Sequence, residues 1–167
     1  MDDLLSIQAS VPFDDRISLF KIRAHMPYAT SSFRTNNEIR ILIQHSDSCV
    51  VPGFSCLHLV GQLSTQVDSV TARVRFITNG IYHLFRDLPY ELNGVEIDRS
   101  NNVGLTSFMK GIVSLQKSQE PSFENMGWKF DYTPGYQDGY FDVCIPLSML
   151  LGFAEDHKKI LLMRNMS

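Results

Sequence analysis

No stretch of this sequence stays apolar for the roughly 20 residues that a membrane-spanning helix needs. Cysteine is scarce: Cys49, Cys56 and Cys144 form an odd set with no Cys-x-x-Cys spacing, which excludes a disulfide framework and leaves three reduced, partly buried thiols as the expectation. Charge of one sign is also lacking. The net charge is −3, so a general nucleic-acid footprint is absent. The pairs Arg73/Arg75 and Lys158/Lys159 are expected on solvated surface. The start, Met1-Asp2-Asp3-Leu4-Leu5, lacks the basic segment of a secretory signal, so a reducing intracellular compartment, cytoplasm or nucleus, is expected. No Gly-x-Ser-x-Gly, His-Glu-x-x-His, P-loop or Gly-x-Gly-x-x-Gly motif occurs. The histidines at 25, 45, 58, 83 and 157 are scattered, whereas a cupin-type metal site needs them clustered. Neither catalysis nor a cofactor is expected.

What is present is strand chemistry. Tyr90-Glu91-Leu92-Asn93-Gly94-Val95-Glu96-Ile97-Asp98-Arg99 reads as a β-hairpin, because Asn-Gly suits the positive φ at both central residues of a type I′ turn. Alternation places Leu88, Tyr90 and Leu92 on one face with Val95 and Ile97, which makes Leu92, Asn93, Gly94, Val95 and Ile97 the structural hairpin residues. Glu91, Glu96 and Asp98 fall on the opposite face. Glu91 and Glu96 are cross-strand neighbours there, and their repulsion calls for a cation. A salt-bridged surface is the expectation. Pro89 removes one ladder donor and implies an edge or a bulge.

Further alternating runs predict strands at residues 20–26, 39–43, 57–63, 72–76, 141–147 and 160–163. Gly61 marks a bulge or close backbone approach within the third of these. Leu105, Phe108, Met109, Ile112 and Val113 recur at helical spacing behind Asn102, a candidate cap. Residues 147–153 predict a short helical turn with Gly152 near its end. Residues 118–139 read as a long loop, and residues 1–16 as an arm before one domain over 17–167. About eight short strands with one or two helices in their connections predict an all-β jelly-roll β-sandwich or barrel.

Two groups of residues invite a functional assignment. Cys56 and His58 lie on one strand face, but no second pair supplies the remaining zinc ligands. Phe123, Trp128, Phe130, Tyr132, Tyr136 and Tyr140 crowd the long loop. Trp128, Tyr132 and Tyr136 are the candidate contact surface. Such rings pin a loop to the sandwich, anchor a protein contact, or stack on a sugar.

Three blocks of sequence carry a resemblance. Residues 88–99 (Leu88-Pro89-Tyr90 through Asp98-Arg99) are followed by Asn102-Val103-Gly104-Leu105-Thr106 and Lys110-Gly111. The second block is His25-Met26-Pro27-Tyr28 with Ser31-Ser32-Phe33 and Asn37-Glu38-Ile39-Arg40-Ile41. The third runs through residues 141–156, from Phe141-Asp142-Val143 to Ala154-Glu155-Asp156. Over about residues 17–162 the chain resembles double jelly-roll-like proteins of arthropod genomes, which are similar to major capsid proteins of Polinton and adintovirus-type DNA elements.

The resemblance implies two eight-stranded jelly rolls per chain, trimeric capsomers and no catalytic residues. This chain corresponds to the N-terminal half and is expected to be truncated at its C-terminal end. The expected function is therefore structural and capsid-like. It would act by self-assembly as a trimer or higher species, or with a jelly-roll partner, inside the cell or in a virion. Contacts are expected in residues 118–139 and after Lys159. A ligand- or carbohydrate-binding β-sandwich module is the alternative.

Overall fold

The computed structural model describes residues 19–28, 38–43, 49–63, 76–119, 123–128 and 140–162. The chain divides into two compact units. One has Pro52–Lys158 as its described body; the other comprises Ala9–Val51 and Lys159–Ser167. The expected arm, residues 1–16, lies outside the described residues.

The larger unit is built on two antiparallel ladders. Strand β2 (Cys56–Gln62) pairs with β5 (Tyr140–Pro146), with Leu57 opposite Ile145, Leu59 opposite Val143 and Gly61 opposite Phe141. Alternation explains the face that is buried. Phe141, Val143 and Ile145 point into the core together with the half-buried Leu57 and Leu59. Gly61 is the close-approach point expected of it: a Cβ there would lie 2.4 Å from the Phe141 ring.

Strands β3 (Asp87–Leu92) and β4 (Val95–Asn101) form the hairpin. Asn93 and Gly94 take φ of 53° and 77°, the positive values a type I′ turn demands. The ladder pairs Leu92 with Val95 and Glu91 with Glu96, then slips, so that Tyr90 faces Asp98 and Leu88 faces Ser100. Ile97 is the extra residue of this β-bulge. The expected core face is therefore corrected at Ile97, and at Val95 by its place beside the turn, while Leu92 stays half-buried. Val95 stays 64% exposed near the tip and Ile97 39% exposed, while Ser100 is buried in their stead. One inserted residue transfers every later side chain to the other face.

Helix α1 (Val103–Ser114) follows directly. Asn102 precedes it in the left-handed conformation, φ 51°, and makes no side-chain capping bond, so it caps by position alone. The expected helical turn at 147–153 is instead two helices, α2 (Leu147–Leu150) and α3 (Gly152–Asp156), separated by the extended Leu151. Gly152 thus begins a helix rather than ending one. Ile81, Tyr82, Val103, Met126, Met149, Leu150, Leu151 and Ala154 complete the core with the β5 face. No helix among the described residues is long and apolar enough to cross a membrane.

In the smaller unit, β1 (Cys49–Val50) pairs antiparallel with β6 (Leu161–Leu162). The alternation at 20–26 and 39–43 does not become a ladder. It yields a single bridge between Pro27 and Ile41, with the Tyr28 amide donating to the Arg40 carbonyl at 2.8 Å. Ile22 and Met26 are exposed at 90% and 73%. Alternation supplies a face but no partner, and a strand exists only through its ladder.

Residues 72–75, expected as strand, lie outside the described residues. The described residues accordingly hold six strands in three two-stranded sheets, not about eight, with small helices between them.

Candidate interaction surface

Helix α1 presents the surface on which a function can rest. Its apolar stripe is the one marked by the sequence, but it faces outward. Leu105, Met109, Ile112 and Val113 are 59%, 61%, 58% and 86% exposed, and Phe108 is 37% exposed. The buried face is Val103, Gly104, Ser107 and Gly111, three of them small.

Those small residues explain the orientation. The His83 ring occupies the space beside Gly104, where a Cβ would come 2.3 Å from its Nδ1. The Trp128 indole fills the space beside Gly111, 2.2 Å from a Cβ position there. Between them the buried Asn79 side chain donates to the Gly104 carbonyl at 2.8 Å, and Ser107 Oγ donates to Asn79 Oδ1 at 3.3 Å. Ring insertion at two glycines and a satisfied buried polar pair fix the helix by its polar, small side.

Lys110 Nζ donates to the Ser148 carbonyl and to Glu155, tying α1 to α2 and α3. The hairpin is tied to α3 as well. Asp98 accepts from the Phe153 amide at 2.8 Å, and Tyr90 stacks on Phe153, which stacks on His157. Asp98 therefore does not join Glu91 and Glu96 on their face, and the salt bridge expected of that face is made by Glu96. Arg99 grips Glu96 through two hydrogen bonds, Nε to Oε1 at 2.9 Å and Nη2 to Oε2. The Arg99 hydrogen bond holds the Glu96 carboxyl below its ordinary range.

The expected contact surface of Trp128, Tyr132 and Tyr136 is corrected at Trp128. Its ring is 2% exposed, packed against Gly111 and 5.9 Å from the Phe108 ring. A buried indole cannot be the face on which a sugar stacks. Tyr132 and Tyr136 lie outside the described residues. The pairing of a glycine with a distant tryptophan is legible only once the chain is folded. The outward apolar face of α1 had one signal in the sequence, the spacing of Gly104, Ser107 and Gly111 along the opposite side.

On the other ladder, His58 Nε2 meets Asp142 Oδ1 at 2.7 Å on the exposed face of β2 and β5. Among the described residues no group of three or more His, Cys, Asp or Glu side chains is placed to hold a metal ion. Burial raises the Tyr82 hydroxyl well above the usual range, which leaves it a neutral core group.

These features define a strand-rich module whose most distinctive surface is an outward apolar face on a helix. The family model of the double jelly roll-like domain matches residues 74–166, more than half of the chain, and the chain belongs to that family. Neither a curated protein nor a solved structure matches it.

Proposed function

We propose that this chain is a structural, capsid-like jelly-roll protein that acts by self-association, through contacts rather than bond chemistry. Its source would be a viral or Polinton-like element, with synthesis inside the cell. The family assignment supports the fold side of this reading. The observation that carries the association side is the outward apolar face of α1, where Leu105, Met109, Ile112 and Val113 are all more than half exposed.

A second copy is the occupant that suits this face. Its apolar side chains form a stripe at i, i+3, i+4, i+7 and i+8, the pattern by which two helices pack. The stripe is an exposed apolar patch, a kind of surface that marks contact sites. Trimeric or higher assembly would combine this contact with others elsewhere in the chain.

Light-scattering mass across a concentration series tests the reading, with Ile112→Glu as the comparison. A discrete dimer, trimer or larger species that the substitution returns to a folded monomer supports it. A folded monomer at all concentrations overturns it.

A further inference from the structure

The exposed face of the β2/β5 ladder carries a pair of thiols that the contact reading does not use. Cys56 and Cys144 are separated by 88 residues in sequence, yet their sulfurs lie 2.7 Å apart. The register explains the meeting. Cys144 stands opposite His58 and Cys56 opposite Pro146, so the two cysteines are diagonal neighbours whose side chains leave the sheet on the same side. Both are exposed, and neither is in a disulfide. The core lies on the other face, so bond formation here displaces no packed side chain.

We infer that Cys56 and Cys144 form a dithiol site that closes reversibly into an intramolecular disulfide across β2 and β5 when a small disulfide such as oxidised glutathione is the oxidant. A bonded pair of sulfurs lies about 2.05 Å apart, so closure requires well under an ångström of movement, which a small rotation about χ1 supplies. The Cys144 thiol is pushed up to about 11, by partial burial first and by the adjacent Cys56 second. That makes Cys144 a slow opening nucleophile and leaves the first attack to Cys56.

The step balances as thiol–disulfide exchange. The Cys56 thiolate attacks one sulfur of the oxidant, breaking its S–S bond and releasing one thiol. The Cys144 thiolate then attacks Cys56 in the mixed disulfide and expels the second thiol. Two electrons pass from the cysteine pair to the oxidant. The two protons finish on the two thiols released. In a reducing compartment the pair stays open, and on transfer to an oxidising one it closes. Closure staples the ladder whose inner face is the core.

The test is alkylation counting by intact mass on the full chain, before and after equilibration with oxidised glutathione, followed by peptide mapping. The inference expects alkylatable thiols to fall from three to one. The survivor would be Cys49, the monomer would lose only the mass of two hydrogen atoms, and one linked peptide would join Cys56 to Cys144. The oxidised form is expected to melt about 5 °C or more above the reduced form, because the link closes a long loop. Cys49→Ser should keep the paired loss, and Cys56→Ser should abolish it. Three thiols still alkylatable, a stable glutathione adduct on Cys56, or a linkage between chains on a non-reducing gel would each overturn the inference.

Discussion

The indole of Trp128 lies in the space that a side chain at position 111 would fill: a Cβ on Gly111 would fall 2.2 Å from its Cη2. Val103 and Ser107 flank the same buried side of α1, and Phe108 packs beside the ring at 5.9 Å. An aromatic ring set against a helical glycine is what turns the small side of α1 inward and its apolar stripe outward.

Gly111→Ala should therefore destabilise the protein although alanine is the better helix former. The propensity gain is about 1 kcal/mol. Overpacking against a ring that is 2% exposed forces a shift that generally costs about 1–3 kcal/mol. A chemical-denaturation midpoint moving to lower denaturant, with an unchanged slope, is the expected outcome. A midpoint moving upward would show that the ring is not held there.

The two sides of α1 should respond oppositely to mutation. Val103 is 1% exposed, and Val103→Ala should cost about 2 kcal/mol of stability. Met109 is 61% exposed, and Met109→Glu should stay within about 0.5 kcal/mol in the monomer. Thermal melts of both variants at low concentration check this. A large loss for Met109→Glu would mean that the stripe is covered within the chain.

Asp98 holds the first turn of α3 through the Phe153 amide at 2.8 Å. Asp98→Ala removes the acceptor that reaches from the hairpin to that amide and should cost about 1 kcal/mol. Asp98→Asn keeps an oxygen acceptor and should restore most of it. Equal losses for the two variants would refute the capping role; hydrogen exchange at the Phe153 amide gives the local readout.

The Glu96–Arg99 pair should make the hairpin weakly sensitive to acid. Folding lowers the Glu96 carboxyl from its ordinary 4.5, chiefly through the Arg99 hydrogen bond. A carboxyl lowered on folding contributes stability that is fully present above the unfolded value and is lost as pH falls through the folded one. The pair is open to solvent, so the effect is small and shrinks with added salt. Arg99→Gln should flatten it. Nuclear magnetic resonance titration of the Glu96 side chain, with and without salt, measures the shift directly; an unshifted carboxyl in the parent protein would refute the pairing.

Short-range chemistry was legible in the residues themselves. Asn93-Gly94 names its turn because few other pairs take positive φ twice. Phe141, Val143 and Ile145 name their buried face by alternation, and the stripe from Leu105 to Val113 names a helix by its period. Each depends on neighbours within a few residues.

Tertiary structure decided which way those faces point and which distant groups meet. Periodicity identifies an apolar stripe but not whether the chain's own core receives it. At α1 the contest was settled by His83 and Trp128 entering the spaces beside Gly104 and Gly111. In the hairpin a single bulged residue, Ile97, exchanged the expected partners for Asp98 and Ser100, because strand faces alternate with a period of two. Cys56 and Cys144 met for the same kind of reason: a ladder register between residues 88 apart is set by the packing of whole strands and is written in neither segment alone.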